Sequence, residues 1–494
     1  MSFTRRQLIR RGGAAGAGTV LGLGLGSTTS AAADPPGSFR RPRLFPPLSS
    51  DPGDLLALPA GFSYHVVAVA GQTDIHDGSG TLIGKTPERI DGTLAIRGSR
   101  GGYLLIQNHE IGPTSSQPVP HVTGTEYDPG VFGGCTIVDV TRDGQRRSEW
   151  VGLSGTYSNC AGGPTPWGSW LTCEETEAKA GTGTLTKDHG YAFEVFAGPP
   201  ADQSPLPITA WGRAAHEAVV IEPGDSRVYL TEDASSPNGL LYRWTAPDGY
   251  HLKPHVARSL GADDGRLEAL IVLAPDGSIL PDLAYVTAAQ IGRPFVTRWT
   301  PVPDRHATST SLRKQFADGT VTRSKKLEGA WGDRDGLYFV ASFAFAATDL
   351  PAKATKHDGQ LWRYDYRAKT VTLVAYFPYN AILHSEPPGW ENALGPSLDL
   401  AFDGPDGCHV SPYGSLVLTE DGNTANHVLS WSAKTGAQAI ARNLIVQERN
   451  ARGGNVYSEM TGPCFSPDGR LLFSNVHEPG HTFSISGPWR HYLG

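Results

Sequence analysis

A cysteine and two adjacent glutamates share one short segment of the sequence, and together they could hold a metal ion. Segment 158–176 reads SNCAGGPTPWGSWLTCEET, with Cys160 near its start and Glu174 and Glu175 near its end. A thiolate beside carboxylates favours a softer transition metal such as iron or zinc over calcium. Adjacent residues of a strand point to opposite faces. We therefore expect only one of the two glutamates to face the same way as Cys160, unless a bulge intervenes.

Further acidic and amide residues stand at comparable places along the chain. They are Asn108, Glu110, Glu217, Glu328, Glu420, Asp421 and Glu459. Any one of them alone is explained by a solvated turn or a salt bridge, but converging carboxylates raise one another's pKa unless cations neutralise them. A site made only of oxygen ligands suits Ca²⁺. Arg213, four residues before Glu217, could form a salt bridge or bind an anion.

A repeated pattern predicts that these residues meet at one end of the fold. A glycine-containing turn leads into a short apolar strand, usually ending in an acid or an amide, in segments 101–110, 168–175, 226–233, 336–342, 414–421 and 469–478. A second polar residue precedes most of these strand ends by about 15 residues, with a turn between them. Two short strands joined by a turn form a β-hairpin, in which the first strand begins beside the end of the second. Each polar pair therefore falls at the same end of its hairpin.

Six such hairpins arranged radially predict an all-β protein, a six-bladed β-propeller whose polar strand ends converge on one mouth of the central channel. Two separate β-sandwiches are the alternative, but they do not explain acids that recur at one strand end. The chain is longer than six typical repeats require. The excess is expected in loop insertions, for example in residues 287–325. A closed propeller leaves no sheet edge to cover, so we expect a monomer.

The N-terminus has the pattern of an export signal. Arg5 and Arg6 precede a weakly apolar, glycine-rich run, and three alanines end at Ala33. This pattern predicts a twin-arginine signal peptide over residues 1–33, with the twin-arginine translocase as a partner, and one propeller domain over residues 34–494. Export leaves a periplasmic, cell-wall-associated or extracellular location open. No later apolar run approaches the ~18 residues that span a membrane.

Composition and motifs exclude several classes of function. With 60 glycines, 38 prolines and 18% charged residues, the chain is turn-rich and unlike a helical bundle. A net charge of −7 argues against nucleic acid or anionic membranes as partners. The five widely spread cysteines do not form a disulfide pattern. We find no serine nucleophile elbow, P-loop or Rossmann fingerprint, so nucleotide-dependent chemistry is unsupported.

Several motifs occur in a fixed order along the chain. After the twin-arginine signal come NHE at 108–110, NCAGGPTPWGSWLTCEE at 159–175, GRAAHE at 212–217, LEG at 327–329 and EMTGPCFSPDGRLLFSN at 459–475. In this order the motifs resemble those of the PhoX-type alkaline phosphatases, a family of exported six-bladed propellers. The resemblance runs from about residue 50 to the C-terminus, and its two longest motifs are specific.

The resemblance implies an active site with two iron ions and several calcium ions, Fe³⁺ and Ca²⁺, around a bridging oxygen. Cys160 matches the metal-binding cysteine of the family. The resemblance places the acidic ligands on Glu174 or Glu175, Glu217, Glu328 and Glu459, with Asn108 and Glu110 on calcium and with Glu420 and Asp421 as weaker matches.

One position departs from the family pattern. The family usually has an arginine two residues before the glutamate that matches Glu328, and this arginine helps to hold phosphate. Here the residue is Lys326. Lysine keeps the positive charge but loses the bidentate geometry of a guanidinium. Arg323 and Arg213 are the candidates to compensate.

Residues and resemblance together predict metal-assisted hydrolysis of small phosphate monoesters, with release of inorganic phosphate outside the cell. Cys160, Lys326 and Glu328 are the predicted catalytic residues, and Lys326 and Arg213 the predicted phosphate contacts. One alternative is a calcium-dependent propeller hydrolase of another class, a lactonase or phosphotriesterase, which would need no iron. The other is a non-catalytic calcium-binding propeller that binds a carbohydrate or a protein.

Overall fold

Short antiparallel strands joined by tight turns make up almost all of the described chain. The computed structural model describes residues 43–224, 226–344, 358–378, 400, 402–422, 425–449 and 454–494, so the predicted signal peptide lies outside the described residues. The described helices are all of five residues or fewer: Val256–Ser259 and Trp489–Leu493 are α-helical, and Pro200–Asp202, Thr209–Trp211, Leu283–Tyr285, Ala288–Gln290 and Leu312–Gln315 are 3₁₀. Among them is no helix with the length and apolar character to cross a membrane.

Most of the described strands fall into groups that we call blades 1 to 6 in chain order. Blade 1 consists of Ile90–Arg97, Tyr103–His109, Gly133–Val140 and Arg146–Thr156. Blade 2 consists of Asn159–Pro164, Trp170–Glu174 and Ala192–Val195. Blade 3 consists of His216–Ile221, Arg227–Glu232, Leu241–Thr245 and Arg266–Val272.

The second half of the chain supplies the other three blades. Blade 4 consists of Leu327–Gly332, Gly336–Ala344, Asp358–Asp365 and Thr370–Phe377. Blade 5 consists of Pro405–Val410, Leu416–Glu420, His427–Ser432 and Gly436–Asn443. Blade 6 consists of Met460–Phe465, Leu471–Val476, His481–Ser486 and Ser63–Val69.

The first strand of each blade is its inner strand, and the inner strands form a closed ring. Each inner strand packs against the inner strand of the next blade, and that of blade 6 returns to that of blade 1. The predicted β-propeller is confirmed, and counted by their inner strands the described residues form six blades. The hairpin formed by the first two strands of each blade has its polar end at the same mouth of the ring, as the repeat predicted.

The ring is closed by a strand from the other end of the chain. Ser63–Val69, close to the first described residue, pairs antiparallel with His481–Ser486, close to the last. This pairing gives blade 6 its fourth strand and covers the edge of His481–Ser486, whose backbone N–H and C=O groups would otherwise be unpaired. It also ties both ends of the domain into one blade.

The segment predicted as a loop insertion contains a strand that joins two blades. Pro294–Pro301 pairs with the outer strand of blade 3 on one side and with Thr370–Phe377 of blade 4 on the other. Blades 3 and 4 thus form one continuous nine-stranded sheet. Blade 5 is extended outward by Leu56–Pro59 and Leu48–Ser49. Two separate two-stranded ribbons are formed by Asp74–His76 with Leu82–Lys85 and by Val446–Arg449 with Asn455–Tyr457.

Aromatic and aliphatic side chains fill the space between the blades. Trp170 packs with strands of blades 1 and 2, and Trp244 lies in the cluster shared by blades 2 and 3. Trp362 lies in the cluster shared by blades 3 and 4. Full burial of one such side chain stabilises the fold by roughly 2–3 kcal/mol. These contacts hold the inner strands close together around the channel.

Candidate metal centre

Every inner strand carries a β-bulge close to its first residue. Two residues of the inner strand there lie opposite one residue of the second strand, at residues 91–92, 160–161, 217–218, 328–329, 406–407 and 462–463. A bulge of this kind bends the strand and re-aims a side chain, and it is common beside active sites. The same device is therefore repeated around the whole mouth of the channel.

The first residue of the bulge is an acid or a cysteine in five of the six blades. These residues are Asp91, Cys160, Glu217, Glu328 and Asp406, whereas blade 6 has a glycine there. The second bulge residue is always small or proline. A Cβ added to Gly92 would lie 2.7 Å from the carbonyl oxygen of Cys160, and one added to Gly329 would lie 2.9 Å from that of Asp406. Neighbouring inner strands thus approach so closely that glycine is required.

A second set of acids enters the mouth from the ends of the second strands. In four blades the residue directly after the second strand is an acid: Glu110, Glu175, Asp233 or Asp421. Glu459, just before the inner strand of blade 6, completes the set. We call these acids together with the five bulge residues the mouth cluster. It holds nine carboxylates and one thiol: Asp91, Glu110, Glu175, Glu217, Asp233, Glu328, Asp406, Asp421, Glu459 and Cys160.

Seven of the ten residues of the mouth cluster place their candidate ligand atoms in overlapping trios. Within each trio the side-chain oxygen or sulfur atoms are within 4.8 Å of one another. The trios are Asp91 with Glu110 and Cys160, Cys160 with Glu175 and Glu217, and Glu217 with Glu328 and Asp406. Because consecutive trios share Cys160 and Glu217, they form a continuous row that runs through five of the six blades, from blade 1 to blade 5.

Two cations face this negative charge. Lys326 Nζ lies 2.8 Å from Asp233 Oδ2 and 3.1 Å from Glu328 Oε1. His477 lies between two acids, with Nε2 2.9 Å from Glu110 Oε2 and Nδ1 3.1 Å from Glu459 Oε1. Glu328 is the main cause that raises the pKa of Lys326 above its usual value. Two positive groups are far too few to balance nine carboxylates.

Burial and the excess of negative charge shift the pKa values of the acids in the mouth cluster. Burial, followed by the neighbouring carboxylates, raises the pKa well above the ordinary value in Glu175, Glu217, Asp406 and Glu459. Burial also raises the pKa of Asp91 and of Glu328 to about 7. Glu110 is different: burial acts to raise its pKa, but His477 holds it below the ordinary value.

This donor set fits bound cations. In their absence the buried carboxylates must take up protons, whereas metal ions would let them remain ionised. Burial likewise raises the pKa of the Cys160 thiol, and a thiol is deprotonated when it coordinates a metal. The mouth cluster therefore has both the oxygen ligands that calcium prefers and one sulfur ligand for a softer ion.

Cys160 is held from both sides. Its Sγ donates a hydrogen bond to Glu175 Oε2 at 3.0 Å. Asn108 Nδ2 donates to the carbonyl oxygens of Cys160 and Ala161 at 2.6 and 2.7 Å. Asn108 Oδ1 in turn accepts from Trp170 Nε1 at 2.9 Å and from Cys135 Sγ at 3.1 Å. These bonds occupy the amide of Asn108, so its position does not support the predicted calcium-ligand role; it fixes the backbone of Cys160 instead.

Of the two adjacent glutamates, only Glu175 belongs to the mouth cluster. Glu174 points away and accepts hydrogen bonds from the backbone N–H groups of Tyr157, Gly190 and Tyr191 and from His189 Nδ1. The position of Glu174 therefore does not support the predicted metal role. The alternation of strand side chains had predicted this division between the two residues.

The same division recurs in blade 5. Glu420 accepts from the backbone N–H of Asp403 at 2.9 Å and from the backbone and Nδ1 of His427 at 3.0 and 2.7 Å, whereas Asp421 belongs to the mouth cluster. Glu420 thus braces the loop before the inner strand, as Glu174 does in blade 2. Its position does not support the predicted metal role either.

Internal hydrogen bonds occupy the guanidinium groups of Arg213 and Arg323. The guanidinium of Arg213 is buried and donates to the backbone carbonyls of Glu177, His189, His306 and Ala307. The guanidinium of Arg323 donates to those of Asn238, Arg313 and Phe316. The structure does not bring Arg213 into the mouth cluster, so its position does not support the predicted role as a phosphate contact. Lys326 is the predicted phosphate-binding residue that does lie there.

Sequence reasoning missed Asp91, Asp233 and Asp406 as candidate ligands. For Asp91 and Asp406 the signal was present, because each is an acid followed directly by glycine at the start of an apolar run, as Glu328 is. Asp233 follows Glu232 as Glu175 follows Glu174, and the same alternation would have selected it.

The protein is thus a closed β-propeller with an acid-lined mouth that fits metal ions. Its sequence matches the family of alkaline phosphatase PhoX over residues 43–480. The chain belongs to this family and is a phosphatase, which confirms the resemblance drawn from its motifs.

Solved structures support the fold. PhoX of Pseudomonas fluorescens in complex with vanadate, a transition-state analogue, has a TM-score of 0.59 and 17% identity, covering 90% of this chain and 97% of that one. A putative gluconolactonase (TM-score 0.37, 12% identity, coverage 87% and 94%) and a gluconolactonase of Xanthomonas campestris (0.31, 14%, 91% and 99%) align too loosely to indicate a function. No curated protein matches the chain.

Proposed function

We propose that this phosphatase is an exported phosphomonoesterase that uses iron and calcium ions held by the mouth cluster. The observation that carries the proposal is the composition of that cluster, in which nine carboxylates, two of them buried, six half-buried and one exposed, converge with one buried thiol beside a single lysine. Such a set of charges is costly to bury without cations. Its only sulfur donor is shared by the two trios nearer to blade 1.

The two ends of the row suit different ions. Asp91, Glu110 and Glu175 lie within reach of the Cys160 sulfur, and this mixed donor set suits Fe³⁺. Glu217, Glu328 and Asp406 offer only oxygen atoms, which suits Ca²⁺. Two further acids, Glu459 and Asp421, extend the oxygen-rich end. Each raises the pKa of Asp406, and Asp421 also raises the pKa of Glu459.

Lys326 is the residue best placed to bind the phosphoryl group of the substrate. A lysine ammonium has three N–H donors, and Asp233 and Glu328 accept two of them. The third is available for a phosphoryl oxygen. Because Glu328 raises the pKa of Lys326, the ammonium stays charged at alkaline pH and can neutralise phosphate charge there.

Bound metal ions would supply Lewis-acid activation of the phosphoryl group and of water. The chain contributes the rigid frame: the bulges aim the ligands, Asn108 fixes the backbone of Cys160, and Ser342 Oγ donates to Glu328 Oε1 at 2.5 Å. Glu328 is thereby held between Ser342 and Lys326. This frame keeps the lysine and the acids in fixed positions relative to a bound ester.

Export through the twin-arginine pathway remains part of the proposal. It is supported by Arg5 and Arg6 and by the alanines that end at Ala33. Replacing Arg5 and Arg6 by lysine should leave the protein inside the cell. Normal export of that variant would argue against this route.

The experiment that tests the function is elemental analysis of the protein purified after native export, together with turnover of p-nitrophenyl phosphate. We expect iron and several calcium ions per chain, and loss of turnover on chelation that is restored by adding the metals back. Calcium without iron and no turnover of any phosphate monoester would contradict the proposal and favour another propeller hydrolase, such as a lactonase.

A further inference from the structure

A second concave feature lies at the rim between blades 1 and 6. It is a groove of about 530 Å³ lined by Ala70, Gly71, Glu88, Arg89, Gln117, Val446, Gln447, Glu478 and Pro479. Its volume is within the range of small-molecule sites. None of its lining residues belongs to the mouth cluster, and we call it the rim groove.

The rim groove shares a wall with the mouth cluster. Arg89 stands two residues before Asp91, and its backbone carbonyl accepts a hydrogen bond from the N–H of Glu110 at 2.9 Å. On the other side, Glu478 follows directly after His477, which contacts Glu110 and Glu459. A molecule that occupies the rim groove therefore lies next to the proposed metal ligands.

Arg89 occupies the same place in blade 1 as Lys326 does in blade 4. Each stands two residues before the acid of its bulge, and each has a left-handed backbone, with φ of 51° and 50°. Blades 1 and 4 are opposite one another in the ring of six inner strands. Both cations also act on the pKa of Glu110. A substrate bound at the mouth is therefore flanked by Lys326 on one side and by Arg89 and the rim groove on the other.

The rim groove is rich in hydrogen-bonding groups. Arg89 Nε lies 3.1 Å from Glu478 Oε1, and Gln447 Nε2 donates to Glu478 Oε2. The carboxylate of Glu88 accepts from Ser115 and Ser116 outside the groove. Gln117 adds a second amide to the lining. The groove thus offers guanidinium and amide donors beside carboxylate and amide acceptors.

The charge and the side chains of the rim groove disfavour a second phosphate group and an aryl group. Two carboxylates against one guanidinium give the groove a net negative charge, which disfavours a second phosphate group. No aromatic side chain is among the nine lining residues, so an aryl group finds no ring to stack on. Hydroxyl groups both donate and accept hydrogen bonds. A neutral molecule with several hydroxyl groups is the chemistry that matches this lining.

We infer that the rim groove binds the alcohol portion of the substrate and selects phosphate esters of polyhydroxylated alcohols, such as sugars and glycerol, over aryl phosphates. This inference rests on the proposed phosphomonoesterase function. The groove makes no contact with the bond that is cleaved. It acts on the affinity for the ester through its leaving group.

The test compares two substrates that share the phosphoryl group, glucose 6-phosphate and p-nitrophenyl phosphate. The variant is the metal-loaded double substitution Gln117→Ala with Gln447→Ala, and the control is Gln145→Ala on an exposed turn at the other face of blade 1. Loss of about two neutral hydrogen bonds should lower kcat/KM for glucose 6-phosphate about tenfold, mainly through KM. Turnover of p-nitrophenyl phosphate should change less than about twofold.

Each result has a distinct meaning. An equal loss for both substrates, or no loss for either, would overturn the inference while leaving the phosphatase function intact. A wild-type preference for fructose 1,6-bisphosphate over glucose 6-phosphate would show an anion-binding groove and would also overturn it. If the wild-type enzyme hydrolyses no phosphate monoester, the proposed function fails first.

Discussion

Lys326 Nζ lies 3.1 Å from Oε1 of Glu328, which stands two positions further along the chain, in the inner strand of blade 4. The same ammonium lies 2.8 Å from Asp233 of blade 3. One lysine thus bridges acids of two neighbouring blades, and these acids raise its pKa. It is the group through which the chain itself can attract phosphate to a negatively charged mouth.

Substitution of Lys326 tests this role. Lys326→Met removes the charge and keeps the aliphatic stem, so kcat/KM for p-nitrophenyl phosphate should fall about tenfold to 100-fold, the value of a hydrogen bond to a charged group. Lys326→Arg should keep turnover and strengthen inhibition by inorganic phosphate severalfold, since a guanidinium can bind phosphate bidentately. Lys369→Met is a matched control, because Lys369 has the same left-handed backbone (φ 54°) in a turn at the far end of blade 4. Equal activity of the two methionine variants would contradict the assignment.

Removal of the Cys160 thiol should separate the two kinds of metal. In Cys160→Ala the trios that contain sulfur are lost, whereas Glu217, Glu328 and Asp406 keep their oxygen atoms. We therefore expect iron to be lost and most of the calcium to be kept, measured by elemental analysis of the purified variant. Cys173→Ala is the control, since this thiol is buried in an apolar cluster and should leave the iron content unchanged. Full iron occupancy in Cys160→Ala would refute the ligand assignment.

The sequence was sufficient to predict the propeller because the same hairpin pattern returns six times. Each repeat pairs a polar residue at the start of one strand with another at the end of the next, and only a radial arrangement brings all of them together. The strand Pro294–Pro301, which joins blades 3 and 4, could not be predicted in this way. Its pairing depends on two strands that lie more than 20 and more than 60 residues away, and no local repeat marks it.

The site was predicted less completely than the fold. Cys160, Glu217 and Glu328 lie at the polar ends of their hairpins, as the pattern predicted, whereas Glu174 and Glu420 brace loops. An acid beside a second acid can serve either purpose, and only the direction of its side chain decides which. Arg213 was chosen for its charge, yet backbone carbonyls from distant loops surround it. Such long-range hydrogen bonds leave no trace in the local sequence.

Asn108 offers a test of how the Cys160 position is maintained. Asn108→Ala would leave two backbone carbonyls and the indole N–H of Trp170 without their partner. A buried polar group without a partner costs about 1–3 kcal/mol, so the free energy of unfolding in urea should fall by about 3–5 kcal/mol. Asn455→Ala is a control, because within the described part of the chain the Asn455 side chain makes one long hydrogen bond, of 3.4 Å to Tyr457, and it should change stability by less than about 1 kcal/mol.

The same variant distinguishes positioning from ligation. After refolding with excess metal, Asn108→Ala should bind iron more weakly but in the wild-type number. Asn108→Asp keeps the acceptor for Trp170 and loses the donors, so it should be intermediate in stability. Unchanged stability of Asn108→Ala would contradict the role that we assign to this amide.

Removal of the metals should make stability depend on pH in a characteristic direction. In the metal-free protein burial raises the pKa of Asp91 and Glu328 to about 7, from ordinary values of 3.8 and 4.5. Between about pH 4 and pH 7 the folded state thus holds protons that the unfolded state has lost. Stability is therefore greatest below this window and falls as the pH rises through it, by up to about 1.4 kcal/mol for each unit of pKa shift.

The measurement is the free energy of unfolding in urea at pH 5 and at pH 8, with and without bound metals. Glu232 and Glu420 also have a pKa raised to about 7, but they lie outside the mouth cluster and contribute equally to both forms. The difference between the two forms therefore isolates the mouth cluster. Since protons compete with metal ions for carboxylates, the stabilisation by metal should be larger at pH 8 than at pH 5. A stabilisation that is equal at both pH values, or larger at pH 5, would mean that these carboxylates do not hold the metals.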